Sequence, residues 1–315
     1  LAATKTKEGD EATAMLVSRV ATVLFWTLVL TCMLGVIGAP VLVYLMASGM
    51  RQSPAGYEAA VVMTRFVFPY IGFMSMVALA AGVLNTYKRF VVPAATPVLL
   101  NLAWIAAAVW GAPWFKRLGI EPIYAICVGV MLGGVLQLGV QWMALARLGM
   151  KPNIGMSGAG IRDAWTDPTT RNMVRLMGPA ILGTSVAQVS VLINTQIASH
   201  LATGSVSWFT YADRFMEFPT AMLGVALGAV LMPQLAAAKA GGKSDEYSAM
   251  MDWGLRLVIL LGVPCAVALL TFALPIIATF FQRGAFHATD AQQTARALMG
   301  YGVGLVGLVA IKVLA

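Results

Sequence analysis

What most constrains this chain is the length of its uninterrupted apolar runs. Crossing about 30 Å of hydrocarbon takes about 20 helical residues, and runs of that length recur from end to end of the sequence. The candidate spans are roughly 15–47, 58–86, 94–112, 121–147, 176–200, 205–236, 249–281 and 296–315. An outer-membrane barrel would instead show alternating segments of about ten residues. Composition agrees: 59% of residues are hydrophobic and 11% charged, against about 25% charged in an average soluble domain. The expected fold class is therefore an all-α polytopic membrane protein. The spans 15–47 and 249–281 exceed what a perpendicular helix needs, so each is expected to tilt or to extend past the bilayer.

The formal net charge of +8 does not indicate nucleic-acid binding, because the basic residues gather in loops. Lys5, Lys7, Lys88, Arg89, Arg147, Lys151, Arg162, Arg171, Arg175, Lys239 and Lys243 lie in one set of segments, and the opposite loops hold only Arg51, Lys116, Arg117 and Arg283, with Arg296 at the start of the last span. By the positive-inside rule the richer set is expected on the cytoplasmic side. Cys32, Cys127 and Cys265 lie in apolar runs without CxxC spacing, so neither a disulfide nor a metal site is expected. The chain opens at Leu1 without a methionine and closes inside an apolar run, and is expected to be a fragment.

An internal repeat divides it. LAATKTKEGDEATAML at the start returns as LAAAKAGGKSDEYSAMM from Leu235, with Asp10-Glu11 matching Asp245-Glu246 and Pro40 matching Pro275. Six of the predicted spans separate the copies, and an even number preserves orientation. Two parallel lobes are thus expected, related by a pseudo-twofold axis along the membrane normal. Residues 1–150 belong to the first lobe, 151–175 form a cytoplasmic linker with amphipathic potential around Ile161 to Met177, and 176–315 belong to the second.

The segment YADRFMEFP places Asp213, Arg214 and Glu217 in an apolar span. At i,i+3 and i,i+4 the three can share a broad face. A charge at the middle of a spanning helix costs about 2.5–3.5 kcal/mol, so two readings stand. The charges either line a cavity, or sit at headgroup depth with Trp208 and Tyr211 as an aromatic belt. Arg65, before Phe66-Val67-Phe68-Pro69, either reaches a cavity or snorkels outward. Ser185 and Gln188 share one face of their span and Asn194 falls on another, all suited to helix–helix hydrogen bonding. Lys312 is a lone charge in an apolar run. Asp252 and Arg256 have the spacing of an ordinary ion pair, and His287 and Asp290 read as loop residues. No clustered Asp, His or Glu set suggests an enzyme.

Several segments, among them NTYKRFVVPAATPVLLN, GGVLQL, MGPAILGTSVAQVSVLINT and the YADRFMEFP stretch, resemble the MurJ (MviN) family of lipid II flippases within the MOP exporter superfamily. The resemblance runs essentially from Leu1 to Ala315. It implies two helical lobes around a central cavity, of which this chain would cover roughly the third to tenth helices. It implies alternating-access export of lipid II, the undecaprenyl-pyrophosphate-linked peptidoglycan precursor, across the bacterial inner membrane. No cofactor is implied, but dependence on membrane potential or on a coupling ion is. The partners implied are lipid II, membrane lipids and other cell-wall synthesis proteins. Arg214 matches a cavity arginine of the family and Glu217 a nearby acidic position that would restrain it. Asp213 is assigned a structural part, and Arg65 and Asn194 complete the candidate substrate-binding set. The alternative function is another exporter of the superfamily, handling drugs or a different polyprenyl-linked glycan.

Overall fold

Glycine and proline decide where the long apolar runs stop being single helices. The computed structural model describes residues 2–314. The side chains at positions 2, 3, 7, 8, 180, 182, 186, 187, 225–227, 229, 232 and 312–314 fall outside that description, so Lys312 does too. The first run is α1 (Ala2–Ile37) and α2 (Ala39–Ala47), and its repeat partner is α12 (Ser244–Thr271) and α13 (Ala273–Phe281). Neither run is the one long helix expected from the sequence. Each breaks just before its matching proline, at Gly38 before Pro40 and at Phe272 before Pro275. A proline has no N–H to continue the ladder and its ring clashes with the preceding turn, so the short second helix restarts on its own. Gly9 adds a kink near the start of α1, with φ of 84°, a conformation that glycine adopts without a Cβ penalty.

The remaining elements follow in order: α3 (Pro54–Val67), α4 (Tyr70–Thr86), α5 (Val91–Ala106), α6 (Ala112–Arg117), α7 (Ile123–Arg147), α8 (Gly158–Thr166), α9 (Pro168–Ser199), α10 (Ser205–Thr220), α11 (Ala226–Ala240) and α14 (Ala288–Leu314). One π turn, Ala107–Gly111, joins α5 to α6, and another, Ala221–Val225, joins α10 to α11. Among the described residues every regular element is helical. Among the described residues, seven helical runs are long and apolar enough to cross a membrane. The expected span 205–236 is not among them, although α10, its π turn and α11 run on without a gap.

The chain forms two compact units, residues 1–196 and 197–315. In the first, α1 and α5 both pack against neighbours that meet α7. On the α7 side of the α5–α7 seam, Ala125, Gly129, Gly133, Gln137 and Gln141 follow one another at i,i+4 and all are buried, the first three small and the last two polar. A Cβ on Gly129 would lie 2.5 Å from the Ala107 Cβ and 3.0 Å from the Ala103 carbonyl oxygen. This is the close backbone approach that small-xxx-small stripes permit. Pro97 in α5 leaves the Pro93 carbonyl without its ladder donor. The Thr96 hydroxyl donates to it at 3.0 Å and accepts from Gln141 Nε2 at 2.9 Å, while Gln137 Nε2 donates to the Thr96 carbonyl at 3.2 Å.

Residues 151–175, expected as a linker, are bound to the first unit. Asp167-Pro168 interrupts the amphipathic stretch expected around Ile161 to Met177, giving α8 and then α9. Asp167 caps α9, accepting from the Thr170 N–H at 2.8 Å, and Pro168 fills the first helical position, where its missing N–H costs nothing. Arg19 of α1 ties both sides of this elbow, at 3.1 Å to Asp163 and 2.8 Å to Asp167. Upstream, the Ser18 and Thr22 hydroxyls accept from the Asn153 and Gly155 N–H groups, and Trp26 Nε1 donates to the Gly155 carbonyl.

In the second unit α14 is central, packing on α10, α12 and α13. Its core joins Ala212 and Met216 of α10 to Val258, Ile277, Leu298 and Leu305, each nearly or fully buried.

Candidate functional site

The placement of Ala212 and Met216 settles which way the rest of α10 points. They are i,i+4 and buried against α14. At 100° per residue, Arg214 lies roughly 200° round from Ala212, on the far side of the helix. Its side chain is 68% exposed and that of Glu217 is 61% exposed, and the two pair at 3.1 Å. Asp213, expected on one face with them, flanks the buried stripe instead. Its Oδ1 accepts from the Tyr301 hydroxyl of α14 at 2.9 Å. The structure therefore brings together Arg214 and Glu217, and turns Asp213 to a helix neighbour.

Exposure of a guanidinium on a largely apolar element needs a physical reason. Glu217 neutralises it, yet the pair is open and held at one nitrogen, which leaves most of the five-donor fork available. Just beyond it, Pro219 interrupts the ladder, the Thr220 hydroxyl donates to the Met216 carbonyl at 2.8 Å, and the π turn follows. Such turns widen a helix locally and often stand at functional positions.

The other candidate substrate-binding residues, Arg65 and Asn194, lie in the first unit. Arg65 is exposed near the end of α3, just before the break at Phe68-Pro69, and no carboxylate pairs with it among the described residues. Asn194, Ser185 and Gln188 are exposed on α9, and the Ser185 hydroxyl donates to the Ile181 carbonyl of its own helix. Gln196 of α9 reaches another element, its Oε1 accepting from the Ser48 N–H at 2.9 Å. Asp252 and Arg256 are paired at 2.7 Å. A groove of about 870 Å³ among α1, α4 and α7 has an almost wholly apolar lining, with Lys151 its one charged member.

Sequence reasoning passed over three contributors. Tyr301 lies in a mostly apolar run, and its partner Asp213 is 88 residues away in sequence. Asp290, read as a loop residue, is the third residue of α14 and reaches back to accept from the His287 N–H at 2.8 Å, one half of a capping box. Its other oxygen accepts from Trp208 Nε1 of α10 at 2.9 Å, a contact that sequence spacing cannot reveal. Arg19 was one more basic residue until the fold set Asp163 and Asp167 beside it.

The electrostatics outside the spans follow from these contacts. Burial pushes the Asp167 carboxyl up, but hydrogen bonds from Thr170 and the Arg19 guanidinium outweigh it and hold the group below the usual carboxylate range. Burial, reinforced by the bond it donates to Asp10 at 2.7 Å, pushes the Tyr87 phenol up to about 12.

Broken apolar helices in two units, with an ion pair exposed on an apolar element, define a polytopic α-helical integral-membrane protein. A family model described as lipid II flippase MurJ matches residues 1–315, and the chain belongs to that family. It is 49% identical over 315 residues to the lipid II flippase MurJ of Burkholderia cenocepacia, covering all of this chain and 60% of that one. It is 34% identical over 310 residues to the probable lipid II flippase MurJ of Vibrio cholerae, covering 95% of this chain and 56% of that one. A solved structure, lipid II flippase MurJ in an inward closed conformation, superposes with a TM-score of 0.77 at 20% identity, over 98% of this chain and 61% of that chain. The chain thus spans less than two thirds of the length of these relatives.

Proposed function

We propose that the protein containing this chain flips lipid II from the cytoplasmic to the periplasmic leaflet of a bacterial inner membrane, and that Arg214 binds the pyrophosphate of that substrate. The reading takes its substrate from the relatives named as lipid II flippases. The single observation that carries the residue assignment is the outward guanidinium of Arg214, opposite the buried stripe of its helix and restrained by Glu217. A guanidinium stays charged at any relevant pH and meets phosphate oxygens with two parallel N–H donors. Glu217 holds the fork while the site is empty and is displaced by the more highly charged pyrophosphate. Arg65 and Asn194 are secondary candidates for contacts to the same substrate. Transport is driven by the membrane potential or a coupled ion, and other cell-wall synthesis proteins supply and consume the substrate.

The test is complementation of cells depleted of their lipid II flippase, using the full-length protein with immunoblots for its level. Arg214→Ala is expected to abolish growth at normal protein level, and Arg214→Lys to restore it only in part, because the charge remains and the fork is lost. Normal growth on Arg214→Ala would overturn the assignment. Copurification of a different polyprenyl-linked glycan or of drugs, without lipid II, would overturn the substrate.

A further inference from the structure

The hydrogen bond between Tyr301 and Asp213 sets the direction in which Arg214 faces. Around α10, the buried contacts with α14 come from Ala212 and Met216. One is small and the other flexible, so they limit rotation about the axis only loosely, while Tyr211 and Phe215 pack their rings on Phe281 of α13, 4.8 and 5.5 Å between centroids. The surrounding backbone gives little help. The helix starts after Gly204 in a left-handed conformation with φ of 103°, and ends at Pro219 and the π turn Ala221–Val225. Two polar contacts to α14 add the directional restraint that ring packing, tolerant of small rotations, does not give. Trp208 Nε1 donates to Asp290 Oδ1 at 2.9 Å, and the Tyr301 hydroxyl donates to Asp213 Oδ1 at 2.9 Å. Phe209 adds a ring contact with Tyr301 at 5.5 Å between centroids. The two hydrogen bonds lie at different heights, so together they fix both sliding and rotation. Asp213 and Arg214 are consecutive, about 100° apart round the helix. Holding Asp213 toward α14 therefore turns Arg214 away from it.

We propose that Tyr301 is a positioning residue for the Arg214 site: by binding the Asp213 carboxylate it keeps that anion off the outward face and orients the guanidinium for an anionic phosphate substrate. The proposal rests on the function put forward above for Arg214. An Asp213 carboxylate swung outward would place a second negative charge beside Glu217, and the site would then repel the anion it is meant to take.

The experiment uses the full-length protein with a spin label at Phe218→Cys. Phe218 is 68% exposed and one turn beyond Arg214, so its label reports rotation of α10 without removing the arginine. Tyr301→Phe, which deletes one oxygen and keeps the ring, is expected to change the label's spectrum. It is also expected to raise the half-saturating lipid II concentration in reconstituted vesicles roughly three- to tenfold, less than full loss of a charge-assisted hydrogen bond because the effect reaches Arg214 only through the helix, with the maximal rate little changed. In an Asp213→Asn background the same substitution is expected to do much less, because no carboxylate is left to restrain. A purely structural tyrosine would act equally in both backgrounds and lower thermal stability in step. An unchanged spectrum, an equal effect in both backgrounds, or a shifted spectrum with unchanged half-saturation would each overturn the proposal. If the spectrum shifts as expected while Arg214→Ala transports lipid II normally, the assignment of Arg214 falls, and Tyr301 remains what orients α10.

Discussion

At the scale of single residues, what decides the outcome is whether a polar atom has a partner that water cannot replace. Thr96 serves three groups at once: the carbonyl that Pro97 leaves open, and the amides of Gln137 and Gln141. Thr96→Val keeps the shape and removes the hydroxyl. It should cost on the order of 1–3 kcal/mol, read as a lower melting temperature of the purified protein in detergent. Gly129 is constrained by space. Any side chain there meets Ala107 and the Ala103 carbonyl, and the latter is backbone that cannot swing aside. Gly129→Leu should therefore push α5 from α7 and cost roughly 1–3 kcal/mol or more, whereas Gly139→Ala, where a Cβ meets nothing, should be nearly neutral. Equal melting temperatures for these two variants would contradict the close seam. Glu217 differs in kind, since it touches a charge and not a neighbour helix. Glu217→Gln should leave stability unchanged and weaken transport less than Arg214→Ala, measured in the same complementation assay.

Among elements, the elbow between α8 and α9 and its attachment to α1 give the clearest test. Arg19 is mostly buried and binds the better-shielded Asp167 as well as the exposed Asp163, so the first contact should carry most of the energy. Arg19→Ala should loosen α8 and expose the stretch 153–167 to limited proteolysis from the cytoplasmic side, at a cost of about 1.5–3 kcal/mol. The pH dependence follows from the Asp167 carboxyl being held below its ordinary range. A depressed folded-state value means the contribution is complete above the unfolded value and is lost as pH falls through the folded one. Proteolysis of the elbow should thus stay slow at neutral pH and quicken only below the usual carboxylate range. Arg19→Ala should already be fast at neutral pH and respond less to acid. An unaltered acid response in Arg19→Ala would show that the Arg19–Asp167 contact is not what acid breaks.

For the molecule as a whole, the loop charges set the orientation. In the full-length protein, cysteines placed at Lys88 and Lys151 should resist an impermeant reagent added to intact cells, while cysteines at Arg51 and Lys116 should react. Labelling of Lys151→Cys would reverse the orientation. The all-helical class and the places of seven of the eight expected spans were legible because apolar length alone specifies them. The breaks were half legible: Pro40 and Pro275 stood out as matched positions, but a proline within a span is compatible with a kink, a break or a tilt until packing selects one. The Asp-Pro start of α9 carries a cap and first-turn signal, but it lies in a Gly- and Pro-containing stretch whose composition reads as a linker. In the candidate site, the pairing of Arg214 with Glu217 followed from helical spacing. The turning away of Asp213 did not, because it depends on Tyr301, 88 residues further along. The carboxylates at the starts of α9 and α14 carry one more consequence. Asp167 gives one oxygen to the Thr170 N–H and the other to Arg19, and Asp290 gives one to the His287 N–H and the other to Trp208. Fraying of either first turn must release the neighbouring helix, and release of the neighbour must expose the first turn. Amide hydrogen exchange at Thr170 should accordingly rise when Arg19 is removed, and exchange at His287 when Trp208 is replaced by Phe, although neither substitution alters the amide that is read.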